Sequence, residues 1–142
     1  MTKANYRQLA GIAGSVTQSG ATVKTVTVAE AIPAGLPVKE VDGVAKILEA
    51  TDAPEALIGI IVRDSVDFGF KSFPRDVGAL SEGYIQVPVA EAANPVRGKG
   101  VYFDATNNVF TSESTGVKVR AVFAANGQTD GVAEIQVITY LP

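Results

Sequence analysis

The chain has 142 residues, 46% of them hydrophobic, a formal charge of -3, and no cysteine, histidine or tryptophan. Without cysteine there is no disulfide framework or thiolate metal site, and without histidine the commonest catalytic base and zinc ligand are missing. The acidic balance, with a pI near 4.9, argues against a phosphate-binding surface, so nucleic acid is not an expected partner.

Residues 1–21 are rich in Gly, Ser, Thr and Gln and carry apolar side chains at Tyr6, Leu9, Ile12 and Val16. That spacing suits a helix face, but Gly11 and Gly14 would each cost about 1 kcal/mol relative to Ala in a helix interior. An extended N-terminal arm is therefore predicted. Its apolar run from Leu9 to Ala13, broken by Gly11, is too short for a signal peptide. No window has the length needed to cross a bilayer, so no membrane partner is expected.

From Thr22 the β-branched run T-V-K-T-V-T-V-A reads as a strand, with Val26 and Val28 on one face. Ala31 to Pro37 is a turn region. Val38 to Val41, Asp42-Gly43 and Val44 to Glu49 follow as a hairpin, Asp-Gly being a strong turn signal. Leu57 to Val62 is the most hydrophobic run of the chain, and a central buried strand is predicted there. Ser65 to Leu80 holds Phe68, Phe70 and Phe73 among glycines and a proline without sustained period, so a long loop is predicted. Ile85, Val87 and Val89 then alternate with polar residues or proline as a strand with one buried face. Val101 to Phe103 and Val109 to Thr111 form a second hairpin around Asp104 to Asn108. A return strand runs from Val117 to Phe123, and a final strand from Val132 to Tyr140.

A weak echo links the two hairpins. Pro37-Val38, Asp42-Gly43-Val44 and Gly59-Ile60-Ile61 resemble Gly100-Val101, Asn107-Asn108-Val109 and Ala121-Val122-Phe123, at offsets of 63, 65 and 62 residues. A duplication and the repeated use of one hairpin-plus-return-strand unit both account for it. The predicted fold class is all-β, a compact antiparallel β-barrel or sandwich. Residues 22–142 form a single all-β domain and residues 1–21 the extended arm.

Only carboxylates remain as acid/base candidates. Asp64 with Asp67, Asp52 with Glu55, and Asp104 with Asn107 and Asn108 are the pairs in view, and all are expected to cap turns and solvate loops. The D-x-x-N-N segment lacks the alternating ligands and terminal Glu of a calcium loop. Gly98-Lys99-Gly100 lacks the spacing of a phosphate loop and precedes a strand. No S-x-x-K is present to activate a serine. The expectation is a protein without catalytic, metal or cofactor sites.

Binding is the better expectation, and two features could carry it. One is the arm, whose Tyr6, Leu9 and Ile12 have no place in a period-2 core and which also offers Arg7; a frayed terminus is the alternative. The other is the loop with Phe68, Phe70 and Phe73. Three exposed phenylalanines would make a patch that monomers rarely tolerate, so this loop either covers an open end of the barrel or lies in an interface.

The ordered series L-I-G-I-I-V-R-D (57–64), Phe73 to Leu80 through Asp76-Val77-Gly78, G-Y-I-Q-V-P-V (83–89), G-V-Y-F-D (100–104) and N-V-F-T (108–111) resembles the structural cement, or head decoration, proteins of tailed bacteriophages. The resemblance extends from about Ile32 to the C-terminus and leaves the arm unmatched. It implies a non-enzymatic virion protein, assembled in the host cytoplasm, that binds the outer surface of the icosahedral capsid. There it would bridge neighbouring major capsid proteins and strengthen the shell, with copies of itself forming dimers or trimers on that surface. The competing expectation is a carbohydrate-binding β module of a phage or cell surface. Such modules display planar aromatics for sugar stacking, and here Tyr6, Tyr84, Tyr102 and Tyr140 are scattered.

Overall fold

The computed structural model describes residues 13–18, 20–63 and 72–138. Among them nine strands occur: β1 (Thr22–Val28), β2 (Pro37–Val41), β3 (Val44–Ile47), β4 (Gly59–Ile61), β5 (Arg75–Pro88), β6 (Gly100–Asp104), β7 (Val109–Thr111), β8 (Val117–Phe123) and β9 (Val132–Val137). A single 3-10 turn, Pro54–Ala56, precedes β4. The ladders are antiparallel, in the order β3-β2-β4-β5-β9-β8-β6-β7 with β1 also on β5. The sheet curls into a half-barrel, in agreement with the all-β expectation.

The two hairpins occupy matching positions. β2 lies between β3 and β4, and β6 lies between β7 and β8, so each hairpin's first strand takes the return strand on its other edge. This is the structural content of the sequence echo. Asp42 and Gly43 have φ of 53° and 81°, the doubly positive geometry of a two-residue hairpin turn that Asp-Gly is suited to. The longer turn of the second hairpin is closed by Asp104, whose Oδ1 accepts from the Thr106 and Asn107 amides at 3.0 and 3.2 Å.

β5 departs from expectation. The predicted loop from Ser65 to Leu80 ends earlier, because Arg75 to Leu80 form the first half of this 14-residue strand. That half pairs with β1 from Val28↔Arg75 to Thr22↔Glu82, and with β4 at Ile60↔Leu80 and Ile61↔Ala79. The second half pairs with β9 from Gly83↔Val137 to Pro88↔Val132. The Arg-Asp start and Gly78 hid the alternation, yet partners on both edges satisfy the backbone there and supply what the side chains do not signal.

Two apolar clusters follow from strand alternation. The larger includes Leu36, Leu57, Ile60, Leu80, Ile85, Phe103, Phe110, Phe123 and Ile135. The smaller comprises Val26, Val28, Val38, Ala45, Ile61 and Ala79. Ile60 and Ile61 point to opposite clusters, as do Leu80 and Ala79, so β4 and the adjoining part of β5 are buried on both faces. That is why Leu57 to Val62 is so uniformly apolar. Phe103 and Phe110 face each other across the second hairpin with ring centroids 5.2 Å apart.

Arg120, on the outward face of β8, bonds back into the body. Its Nη2 donates to Leu57 O at 3.0 Å, and its Nη1 donates to Ile138 O. The guanidinium thus ties the segment before β4 to the end of β9. Burial lowers its pKa, opposed by the Glu82 carboxylate.

Candidate functional site

The segment just before β1 is built into the sheet. Gly14 N donates to Gln86 O at 2.7 Å, Gln86 N to Ser15 O at 3.0 Å and Thr17 N to Tyr84 O at 3.2 Å, while Val16 bridges Ile85. Residues 14–17 therefore form an edge on the second half of β5, opposite β9. The Thr17 hydroxyl donates to the Glu134 carboxylate of β9. Ser15 is 5% exposed and its hydroxyl has no hydrogen-bond partner among the described residues.

At Gly14 three segments cross. Arg63 N donates to Gly14 O at 2.8 Å, and Gly35 N donates to Ile61 O at 2.7 Å. Both glycines have positive φ, 82° and 90°. A Cβ on Gly14 would lie 2.5 Å from the Ala34 Cβ and 2.9 Å from Arg63 N, so only glycine fits. The sequence marked Gly14 as a helix breaker; its use as a contact point between distant segments was not readable from spacing.

Beside this crossing is a cavity of about 350 Å³. Its walls come from the end of β1 (Val28), the loop before β2 (Ala31 to Ala34), the end of β4 and the two residues after it (Ile61 to Arg63), Phe73, and the start of β5 (Arg75, Val77). Phe73 is half-buried and packs against the smaller cluster as well as lining the cavity. Of the sequence candidates it alone falls within the described residues; Tyr6, Arg7, Leu9, Ile12, Phe68 and Phe70 lie outside them. The cavity joins residues from four separate stretches, so no local sequence signal could have indicated it.

Asp52 and Asp104 have local tasks. Asp52 Oδ2 accepts from the Glu49 amide at 2.7 Å and lies 2.8 Å from Lys39 Nζ. The hydrogen bond from Lys39, then that from the Glu49 amide, holds the Asp52 carboxyl below its ordinary pKa. Asp104 is likewise lowered, chiefly by the Asn107 side chain, which donates to Oδ2 at 2.8 Å. Among the described residues no group of three or more metal-ligating side chains is gathered, and no helix is long and apolar enough to cross a membrane.

Nor do the described tyrosines make one platform. Tyr84 is on β5 and Tyr102 on β6, with β9 and β8 between them, a separation of roughly 14 Å at ordinary strand spacing. Lys118 Nζ lies over the Tyr102 ring at 5.3 Å from its centroid.

Comparison with known proteins is consistent across sequence and structure. The family described as structural cement protein (E217 gp24/Pam3 gp6) matches residues 1–138, which takes in the arm that motif reading left unmatched. No curated protein matches. Among solved structures, a chain from "The capsid of Myoviridae Phage XM1" is similar at a TM-score of 0.70 and 22% identity, over 91% of each chain. At that identity the likeness is one of fold.

Proposed function

The chain belongs to the phage structural cement protein family, and from that membership we propose that it is a capsid-associated structural protein that binds the outer surface of the icosahedral head and bridges neighbouring major capsid proteins. The observation that carries this reading is the family match over residues 1–138, supported by a structural neighbour drawn from a phage capsid. The body suits a spacer that works without catalysis: a curled sheet with two apolar clusters, in which β5 is common to both halves. Many copies on one shell gain by avidity, so modest contacts per copy suffice.

In this mechanism the first twelve residues reach a capsid subunit, with Tyr6, Arg7, Leu9 and Ile12 as contacts, and the loop carrying Phe68, Phe70 and Phe73 meets a second one. An extended segment can add backbone hydrogen bonds to a partner sheet. Residues 14–17 already use theirs on β5, which sets where a clean truncation stops.

The test is sedimentation of the purified protein with heads lacking it. Stoichiometric co-sedimentation is expected, with added resistance of the heads to heat or chelation; absence of binding overturns the reading. Removing residues 2–12 should sharply reduce occupancy at unchanged melting temperature. Equal occupancy would dismiss the arm as a contact.

A further inference from the structure

We propose that Asn126 is a deamidation site kept intact by the fold. Its carboxamide survives while the β8–β9 connection is clasped to residues 95–99, and it is lost through a cyclic imide when that clasp opens. The reaction needs only water besides the chain, so the proposal stands apart from the capsid reading.

Of the five asparagines in the chain, Asn126 alone precedes glycine. Asn94 precedes proline, which has no amide proton to give up, and Asn5, Asn107 and Asn108 precede residues whose side chains crowd the amide nitrogen. Gly127 leaves that nitrogen unhindered. It has φ of 78°, no described atom lies within 4 Å of its would-be Cβ, and both residues are exposed to water. In the reaction the Gly127 nitrogen attacks Asn126 Cγ. The new N–Cγ bond forms, the Cγ–Nδ2 bond breaks, and the Gly127 amide proton leaves with Nδ2 as ammonia. Water then opens the imide at either carbonyl and yields aspartate or isoaspartate.

Both reacting groups are engaged in the folded chain. Asn126 Oδ1 accepts from the Arg97 amide at 2.8 Å, and Gly127 N donates to Pro95 O at 2.9 Å. To react, the carboxamide must leave Arg97 and the Gly127 nitrogen must release Pro95. The segment they hold is itself a fixed turn. Lys99 N donates to Val96 O at 3.0 Å, and Gly98 has φ of 86°, the type II pattern in which Arg97 takes the position that proline favours. Gly98 N also donates to Phe123 O at 2.8 Å and Phe123 N to Lys99 O at 2.9 Å, which prolongs the β6–β8 ladder up to the clasp. The clasp is thus the exposed end of a ladder, where local opening takes the least free energy. Isoaspartate would add a carbon to the main chain between residues 126 and 127 and shift the Gly127 amide out of register with Pro95 O. An opening that reacts is therefore recorded permanently.

The experiment incubates the protein at mildly alkaline pH and follows the amide-to-acid mass change at residue 126 by peptide mapping. Folded wild type, wild type unfolded in urea, Arg97→Pro and Arg97→Ala are compared. Proline fits this turn position and removes the donor N–H, whereas alanine keeps the N–H and removes only the guanidinium. Folded wild type should react at least about tenfold more slowly than the unfolded chain, in proportion to its open population. Arg97→Pro should react several-fold faster than wild type, and Arg97→Ala at the wild-type rate. Hydrogen exchange at the Gly127 amide supplies a measure that needs no substitution: its protection in wild type should match the slowing of deamidation. No reaction at Asn126 in the unfolded chain would overturn the site, and equal rates in folded and unfolded chains would overturn its protection. A faster Arg97→Ala, a folded Arg97→Pro with the wild-type rate, or Gly127 protection unlike the slowing would each overturn the clasp as the gate.

Discussion

Gly14 and Gly35 pack against each other reciprocally: a Cβ on Gly14 would lie 3.2 Å from the Gly35 nitrogen, and a Cβ on Gly35 would lie 3.2 Å from the Gly14 nitrogen. Both also hold positive φ, so an alanine at either site meets steric and conformational resistance together. Gly14→Ala should destabilise by roughly 2 to 4 kcal/mol, the combined scale of overpacking and left-handed strain. Gly127 has φ of 78° with nothing among the described residues within 4 Å of its would-be Cβ. Gly127→Ala should therefore lose only about 1 to 2 kcal/mol. Urea denaturation of the two variants separates the packing contribution from the conformational one; equal losses would show that the crossing is not tight.

Ser15→Ala should leave stability unchanged or raise it. The Ser15 hydroxyl is buried without a hydrogen-bond partner among the described residues, and removing an unpaired buried polar group relieves a desolvation cost of about 1 to 3 kcal/mol. A drop in the urea midpoint would show that the hydroxyl is satisfied in solution.

Acid should weaken the fold through Asp52 and Asp104. Both carboxyls are held below their ordinary pKa, so their contribution is present above the unfolded value, about 3.9, and is lost as pH falls through the folded one. Lys39 is raised, first by its hydrogen bond to Asp52. Its contribution is complete below the unfolded value, about 10.4, and is lost as pH rises through the folded one. The pair is thus at full strength between those limits. Wild type should exceed Asp52→Asn in melting temperature at pH 7, and the gap should close below about pH 4. A gap constant with pH would assign the effect to geometry alone.

Replacing Arg120 by lysine should destabilise by about 2 kcal/mol, because one ammonium cannot serve both Leu57 O and Ile138 O as the guanidinium fork does. Hydrogen exchange should rise at the end of β9 and around Leu57 together. A rise at one site only would contradict the tether.

Much of the fold was legible because its elements carry local signals. Asp42-Gly43 announces a two-residue turn, Leu57 to Val62 announces burial on both faces, and the alternation of Val117, Val119, Ala121 and Phe123 appears unchanged in the burial of β8. What stayed hidden depends on partners distant in the chain. The first half of β5 has no alternation to read, since Arg75 and Asp76 open it and Gly78 interrupts it; its pairing with β1 and β4 makes it a strand. Arg120 looked like any outward cation until Leu57 and Ile138 came within reach. The cavity is assembled from ends of elements, where periodicity says least.

The continuity of β5 has a mechanical consequence. Its hydrogen bonds run crosswise to the chain, to β1 and β4 along one half and to β9 and residues 14–17 along the other. A pull along this strand loads many of those bonds in shear at once rather than peeling them one by one. Because the covalent chain itself passes from one half to the other, tension between the two ends of the molecule travels through peptide bonds before it reaches any seam. Rupture then requires whole ladders to yield together, which is the behaviour of a tie rather than a hinge.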